Sequence, residues 1–362
     1  MKIAVVGTRG IPDIPGGVET HCQELYPRLA AMGHDVTVMR RSCYVTDKLK
    51  EYNGVKLCDT YAPHIKSLEA IVHTFLATVK ARCNGADAIH VHAVGPALVT
   101  PFARLLGMKV VMTHHGFDYN RNKWGFFARA MLRLGERWGV KYSNEVVVIS
   151  DSIRKVVEEK YPRTDIHTVF NGVNPHFLCN NLSFLRNYDL KPQKYILAIG
   201  RLVEEKGYHD LIAAYNSLSN SDMKLVIAGD SNYDDSYSRH LKELAEQSGV
   251  IMTGYVTGEP LQQLMSNAAM FVLPSYHEGL PITLLEAMSY GLNVAVSDIP
   301  ANRLPQLSPD DFFPVASHDA IAEVVKRKMQ NPTRRTYDLS LYDWDNIARQ
   351  ISDIYAKMAG KN

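Results

Sequence analysis

The chain has 362 residues, more than one hydrophobic core usually serves, so two domains are expected. Hydrophobic residues make up 46% and charged residues 22%, which excludes a disordered or fibrous chain. A net charge of +2 gives no general pull toward nucleic acid, and no nucleic-acid partner is expected.

The five cysteines, Cys22, Cys43, Cys58, Cys83 and Cys179, are scattered and show no CxxC spacing, so neither a disulfide framework nor a zinc site is indicated. The opening Met1–Gly7 is too short in apolar length for a signal peptide and reads as a first strand. No apolar run reaches the length of a membrane-spanning helix. A cytoplasmic protein is the expectation.

Short apolar runs alternate with helical patterns along the chain. In the first half they are Ile3–Val6, Val36–Met39, Val55–Leu57, Ile89–Val91, Val110–Met112, Val146–Ile149 and Ile166–Phe170. In the second half they are Tyr195–Ile199, Leu225–Ala228, Val250–Met252, Met270–Leu273 and Val294–Val296. Parallel strands covered by helices on both faces read this way. The βαβα order predicts doubly wound sheets, and the chain does this twice. Polar and turn residues between Pro175 and Lys194 predict a linker over 176–193, dividing domains 1–175 and 194–342. Two such domains facing a cleft would bind ligands at the carboxyl ends of their strands.

After the first strand comes Gly7-Thr8-Arg9-Gly10-Ile11-Pro12, then Pro15-Gly16-Gly17-Val18-Glu19. This is not the dinucleotide fingerprint. It is a longer loop that enters a helix with Val18, Cys22, Leu25 and Leu29 on one side. Gly16 and Gly17 lack a Cβ, so the backbone can come close to a ligand. The bland alternative is a flexible surface loop. Pro27 predicts a kink or early end of this helix.

Val110–Met112 runs into Thr113-His114-His115-Gly116, which sets two histidines where open α/β sheets keep their active sites. Adjacent strand residues point to opposite sides, so one histidine is expected to face the ligand and a zinc site is not. Downstream, Arg129, Arg133, Arg137 and Lys141 are spaced by four on a predicted helix that also carries Trp124, Phe126, Phe127 and Trp138. Lys123 adds to this basic stretch. The face is either a solvated amphipathic surface or a patch for anionic lipid headgroups or a lipid-linked diphosphate.

Tyr195–Ile199 leads into Gly200-Arg201-Leu202-Val203-Glu204-Glu205-Lys206-Gly207. Arg201 and Lys206 put two cations after a strand end, where a forked guanidinium and a compact ammonium suit phosphate oxygens. The structural alternative pairs them with Glu204 and Glu205. Val250–Met252 runs through Gly254 and Tyr255 to Val256 with backbone groups open to a ligand.

Met270–Leu273 is followed by Ser275-Tyr276-His277-Glu278-Gly279-Leu280-Pro281-Ile282-Thr283-Leu284-Leu285-Glu286. Pro281 opens a helix whose first amides, around Ile282 and Thr283, make an anion site suited to phosphate. Glu278 falls in the loop and Glu286 on the helix. Near the C-terminus, Asp343-Trp344-Asp345 matches the bare D-x-D metal pattern but, at a helix start, reads as a cap.

Glu278-(x7)-Glu286, Gly200-Arg201…Lys206-Gly207, Asn171-Gly172-Val173-Asn174 and Gly16-Gly17-Val18-Glu19 together resemble the family 4 retaining glycosyltransferases of the two-Rossmann GT-B type. The opening Gly7–Pro12 resembles the branch that builds bacterial surface polysaccharides, including rhamnosyltransferase-like members. The resemblance spans nearly the whole chain; Asn174 stands where the family often has Asp. It implies transfer of a sugar from a nucleotide-sugar, UDP- or GDP-linked, to a glycan or lipid-linked acceptor, with no metal cofactor. Arg201 and Lys206 would hold the donor diphosphate, Glu286 the ribose hydroxyls and Glu278, with Gly279 and Leu280, the transferred sugar. Gly254 to Val256 would flank the base, and His115 matches the family's cleft histidine. Residues 343–362 would form a helix crossing back to the first domain.

Residue chemistry agrees. Two carboxylates eight apart on an ideal helix stand about 12 Å apart, against about 5 Å in a retaining glycosidase. That suits two hydroxyl acceptors along an extended donor. Two other readings stay open: a nucleotide-sugar epimerase on the same fold, and a non-catalytic two-domain binder.

Overall fold

The computed structural model describes residues 1–65, 68–120, 124–218, 222–231, 235–330 and 333–360. Lys123 of the basic stretch lies outside them. Two compact units divide the chain: Met1–Gly172 with Leu341–Asn362, and Val173–Ser340.

In the first unit the strands are β1 (Lys2–Val6), β2 (Asp35–Arg41), β3 (Glu51–Tyr52), β4 (Val55–Thr60), β5 (Ala88–His92), β6 (Lys109–His114), β7 (Glu145–Val148) and β8 (Ile166–Thr168). They form one sheet in the order β3-β4-β2-β1-β5-β6-β7-β8. All pairings are parallel except β3–β4, a short hairpin whose first strand has no apolar run to announce it. The helices are α1 (Gly17–Ala31), α2 (Glu69–Cys83), α3 (Thr100–Leu105), α4 (Phe126–Tyr142) and α5 (Asp151–Lys160).

In the second unit, α6 (Ser183–Arg186) precedes β9 (Tyr195–Ile199), α7 (Tyr208–Ser217), β10 (Lys224–Ala228), α8 (Ser236–Gln247), β11 (Ile251–Gly254), α9 (Gly258–Asn267), β12 (Met270–Leu273), α10 (Ile282–Ser289), β13 (Asn293–Ser297), β14 (Phe312–Phe313) and α11 (His318–Met329). The sheet order is β11-β10-β9-β12-β13-β14, parallel throughout. Both strand orders reverse direction beside the first strand of their unit, the topology that leaves ligand sites at strand carboxyl ends.

The last helix, α12 (Trp344–Ala359), returns to the first unit. Asp343 caps it by accepting from Asn346 N at 2.8 Å, and Gly360 ends it at φ 75°, a left-handed conformation glycine adopts without strain. Its apolar face (Ile347, Ile351, Tyr355) is buried with Leu25, Tyr26 and Leu29 of α1 over β1 and β2. Truncating such a side chain, for example Leu25→Ala, costs about 2–5 kcal/mol. Asp345 pairs with Arg28 at 2.9 Å, so both acids of the D-x-D pattern serve the helix and its packing.

Two expectations need correction. The segment 176–193 is not a free linker: Leu185 and Leu190 are buried, Cys179 N donates to Ser266 Oγ at 2.8 Å, and the stretch belongs to the second unit. The chain passes between units at Gly172/Val173 and Ser340/Leu341 instead. Pro27 neither ends nor divides α1, which runs on to Ala31 with Tyr26 and Leu29 buried on either side of it. Burial of that face outweighs the local cost of the proline.

Candidate active site

In the second unit the chain reverses sharply after β9. Gly200 has φ 153°, and a Cβ there would lie 2.7 Å from the Tyr208 hydroxyl and 3.4 Å from Lys206 Cε. Gly207 (φ 65°) lies against the carbonyl of Pro274, which a Cβ would meet at 2.3 Å. These two glycines let the Arg201–Lys206 segment fold down onto the loop after β12. Tyr276 N completes the contact by donating to Glu205 O at 2.8 Å.

Lys206 Nζ then sits 2.6 Å from Glu278 Oε1, both side chains mostly buried. The ion pair that Lys206 makes is thus with Glu278, across the loop, and not the structural alternative with Glu204 or Glu205. Burial raises the Tyr208 hydroxyl pKa well above its ordinary value, the Glu278 charge adds to this and Arg201 opposes it. Arg201, Lys206 and Glu278 thus surround one buried phenol. Among the described residues the Tyr208 hydroxyl itself has no hydrogen-bond partner.

Four residues after Glu278, α10 begins, with Pro281 as its N-cap rather than inside its first turn. The first amides of a helix have no partner within it, and here they belong to Ile282 and Thr283. Leu280, Pro281 and Ile282 are buried, whereas Glu278, Gly279, Thr283 and Glu286 are half-buried and reachable. Glu286 adds to burial in raising the pKa of Tyr290 to about 12. At the far edge of the same sheet a hollow of about 450 Å³ is lined by Leu202, Gly229, Asp230, Thr253 and Gly254 among others. Of the residues expected to flank a base, Gly254 lines it; Tyr255 is exposed and Val256 half-buried beyond the end of β11.

In the first unit the glycine loop is tied down through Glu19, whose Oε1 accepts from Arg9 N at 2.9 Å and Thr8 Oγ1 at 3.3 Å. Gly16 has φ 146°, and a Cβ would strike Glu19 Oε2, so this position requires glycine. Gly17, the first residue of α1, is exposed and a Cβ there would meet nothing.

The two histidines after β6 part as expected. His114 is fully buried and faces Glu136, with Nε2 at 3.7 Å from Oε1. Lys160 pairs with the other carboxylate oxygen at 2.7 Å. Burial pushes the Glu136 carboxyl up, but its partners His114 and Lys160 outweigh that and leave it below its usual range. His115 is half-buried and joins a cluster that the motif reading missed. His115 Nε2 is 2.8 Å from His92 Nδ1, and His92 Nε2 is 2.5 Å from the Tyr26 hydroxyl. Beside it, the Tyr355 hydroxyl lies 2.6 Å from His90 Nδ1, and His90 Nε2 is 2.7 Å from Thr113 Oγ1. Tyr26, His92 and His115 thus form one hydrogen-bond chain, and Tyr355, His90 and Thr113 form another, with the His90 and His92 rings stacked 4.4 Å apart between them. Burial, then neighbouring imidazoles, holds His92 and His115 well below the ordinary histidine pKa, so each ring is neutral and carries one proton.

His21, one turn into α1, is the third imidazole of the cluster. Its Nδ1 is 3.0 Å from Asn171 Oδ1, and its buried Nε2 has no hydrogen-bond partner among the described residues. Gly172 beside Asn171 packs so closely on the Trp344 ring that a Cβ would lie 2.4 Å from it. Among the described residues, His21, His92 and His115 are the set that could hold a metal, with ring nitrogens all within 4.8 Å of one another. However, the 2.8 Å between His92 and His115 is a hydrogen-bond distance, shorter than the roughly 3.3 Å between two nitrogens on one tetrahedral zinc. Both His92 nitrogens are also already engaged. The cluster fits proton-holding imidazoles better than a metal centre.

Residues 15–177 match the family described as Glycosyltransferase Family 4, and residues 186–338 match Glycosyl transferases group 1. An uncharacterized glycosyltransferase of Methanocaldococcus jannaschii is 27% identical over 98% of each chain. Sucrose-phosphate synthase from Thermosynechococcus elongatus has the same fold, with TM-score 0.85 and 20% identity over the whole of both chains. Anabaena HepE in complex with UDP-glucose matches with TM-score 0.79 and 15% identity, covering 99% of this chain and 100% of that one.

Proposed function

The chain is a glycosyltransferase of the GT-B type, and from that premise we propose that it moves a sugar with retention from a nucleotide-sugar to a glycan or lipid-linked acceptor of surface-polysaccharide synthesis. The observation that carries this reading is the convergence of Arg201, Lys206 and Glu278 around Tyr208, just ahead of the α10 N-terminus. Two cations and a set of helix amides suit a diphosphate; a carboxylate beside them suits sugar hydroxyls.

In this reaction the bond between the anomeric carbon and the diphosphate oxygen breaks. Negative charge gathers on the leaving diphosphate, where Arg201, Lys206 and the Ile282 and Thr283 amides stabilise it without rearranging. An acceptor hydroxyl bonds to the anomeric carbon on the face the diphosphate leaves, and its proton passes to a diphosphate oxygen. No protein base is needed for that step. Glu278, Gly279 and Leu280 are assigned to the sugar, Glu286 to the ribose, and Gly254, Tyr255 and Val256 to the base. In the first unit, His115 is the catalytic residue, and Gly16 and Gly17 bring main chain near the ligand. UDP is the first donor to test, since HepE carries UDP-glucose in its complex.

We place the acceptor at the inner face of the plasma membrane, where the exposed Arg133, Arg137 and Lys141, with Arg129 on the same helix, meet anionic headgroups. No described helix is long and apolar enough to cross a membrane.

Nucleotide release from UDP-, GDP- and ADP-sugars, measured with and without a glycan acceptor, tests the reading. A transferase releases nucleotide with acceptor and leaves the anomeric configuration unchanged in the product. Sugar conversion without acceptor would indicate an epimerase, and binding without turnover a binder.

A further inference from the structure

Helix α2 is built inside out. Its inward face is polar: Glu69 accepts from Arg41 at 2.5 Å and Tyr44 at 2.9 Å, and His73, Thr74 and Thr78 are also buried. The two threonine hydroxyls donate to carbonyls one turn back, at 2.6 and 2.7 Å. The outward face is apolar: Leu68 beside the helix start, then Ile71, Phe75, Leu76 and Val79, all exposed. Surface helices of soluble domains are arranged the other way round.

The stripe does not end with α2. Phe75 stacks on Phe102 of α3, with ring centroids 4.7 Å apart. Leu105, at the end of α3, is 84% exposed, and Phe126 and Phe127, at the opposite end of α4, are 81% and 83% exposed. Exposed apolar side chains gathered on one helix face in this way mark an interaction site.

The charges around it select the partner. α2 carries Lys80 and Arg82, α3 Arg104, and α4 Arg129, Arg133, Arg137 and Lys141. The acids on these three helices are Glu69 and Glu136, and both are buried in ion pairs with Arg41 and Lys160. A second copy docked face to face would set cations against cations. An anionic lipid surface meets both features at once, headgroups against the cations and acyl chains against the apolar side chains.

We infer that the outward faces of α2, α3 and α4 together form a membrane-docking surface for anionic lipid, with the α2 stripe entering the bilayer interface. This rests on the membrane placement proposed above and adds a second element to it. Basic residues on α4 alone would hold the protein only electrostatically, whereas buried apolar area makes binding partly resistant to salt.

The test is co-sedimentation of the full chain with vesicles of phosphatidylcholine, with and without phosphatidylglycerol. The variants are Ile71→Ser/Phe75→Ser/Val79→Ser on α2 and charge reversal of the four basic residues on α4. All three stripe positions are exposed, and an unchanged melting temperature checks that the variant folds. In addition, Phe75→Trp reports insertion through quenching by brominated lipid. The expected result is binding to anionic vesicles, weakened about ten-fold or more by either set of changes, with Trp fluorescence at position 75 quenched. Vesicle binding lost on charge reversal but retained in the α2 variant, with no quenching, would leave the α4 placement standing and overturn the α2 stripe. Absence of vesicle binding by the unmodified chain would overturn both. A lipid-free dimer that the α2 changes dissociate, without vesicle binding, would assign the face to a second copy and overturn the lipid reading.

Discussion

Lys206 and Glu278 are 72 residues apart in the chain, and their side chains meet at 2.6 Å. The pair holds the ammonium in place before any donor arrives. It also means a carboxylate stands next to the proposed phosphate site, where it would weaken binding of a bare diphosphate unless the sugar compensates. Glu278→Gln removes that charge while keeping the shape. Calorimetric titration should therefore find the free nucleoside diphosphate bound as tightly or tighter in the variant, while transfer falls about 100-fold. Equal losses in nucleotide affinity and turnover would place Glu278 in structural support of Lys206 instead.

The buried histidines make stability depend on pH. Burial lowers His21 and His73 to about 4 and His90 to about 3. In the unfolded chain all three titrate near 6.5. Between those values the unfolded state binds more protons, so stability is full above pH 6.5 and is lost as pH falls toward 4. Each group contributes a slope on the order of 1.4 kcal/mol per pH unit in that window. Melting temperatures recorded from pH 8 to 5 should fall on acidification, less steeply in His73→Met. A flat profile would show that these rings accept protons in the folded state.

The hydrogen-bond chain Tyr26–His92–His115 couples the nitrogen on which His115 carries its proton to the Tyr26 hydroxyl. Tyr26→Phe cuts the chain next to His92 and leaves a buried nitrogen without its partner, costing about 1–3 kcal/mol. Nitrogen NMR of His115 should show its tautomer populations change, and kcat should fall about ten-fold while nucleotide affinity is unchanged. An unaltered His115 spectrum would reduce Tyr26 to a packing residue.

Transfer by this scheme draws its charge stabilisation from Arg201, Lys206 and helix amides, so activity should survive EDTA. The three-histidine cluster supplies the competing account. Activity abolished by chelation and restored by Zn²⁺, Mg²⁺ or Mn²⁺ would transfer the electrostatic role to a metal.

Much of the fold could be read in the sequence because buried parallel strands are continuous apolar runs. Tyr195–Ile199 and Met270–Leu273 form strands over the same residues that the pattern predicts. β3 and β14, two residues each, left no such run. The segment 176–193 looked like a linker because its turn residues outnumber its anchors, yet Leu185 and Leu190 suffice to bind it to the second unit. The donor-side candidates were legible from glycines and charges around strand ends. Which acid Lys206 meets was not, since that depends on the approach Gly200 and Gly207 permit. His92 was overlooked although His90-Val91-His92 places two imidazoles on one face of a strand, a signal the pattern did contain. The inversion of α2 was out of reach, because periodicity groups residues on a face without saying which face meets the sheet.

The most direct test of the account is a thermal-shift titration of the full chain with UDP, GDP, ADP and their sugars, run on the unmodified protein and on Arg201→Ala/Lys206→Ala. A ligand that binds only the folded state raises the melting temperature with concentration. At least one of these nucleotides should stabilise the unmodified protein, and the double variant, folded and otherwise of similar stability, should lose that stabilisation. Stabilisation of equal size in both proteins, or none in either with any nucleotide, would contradict it.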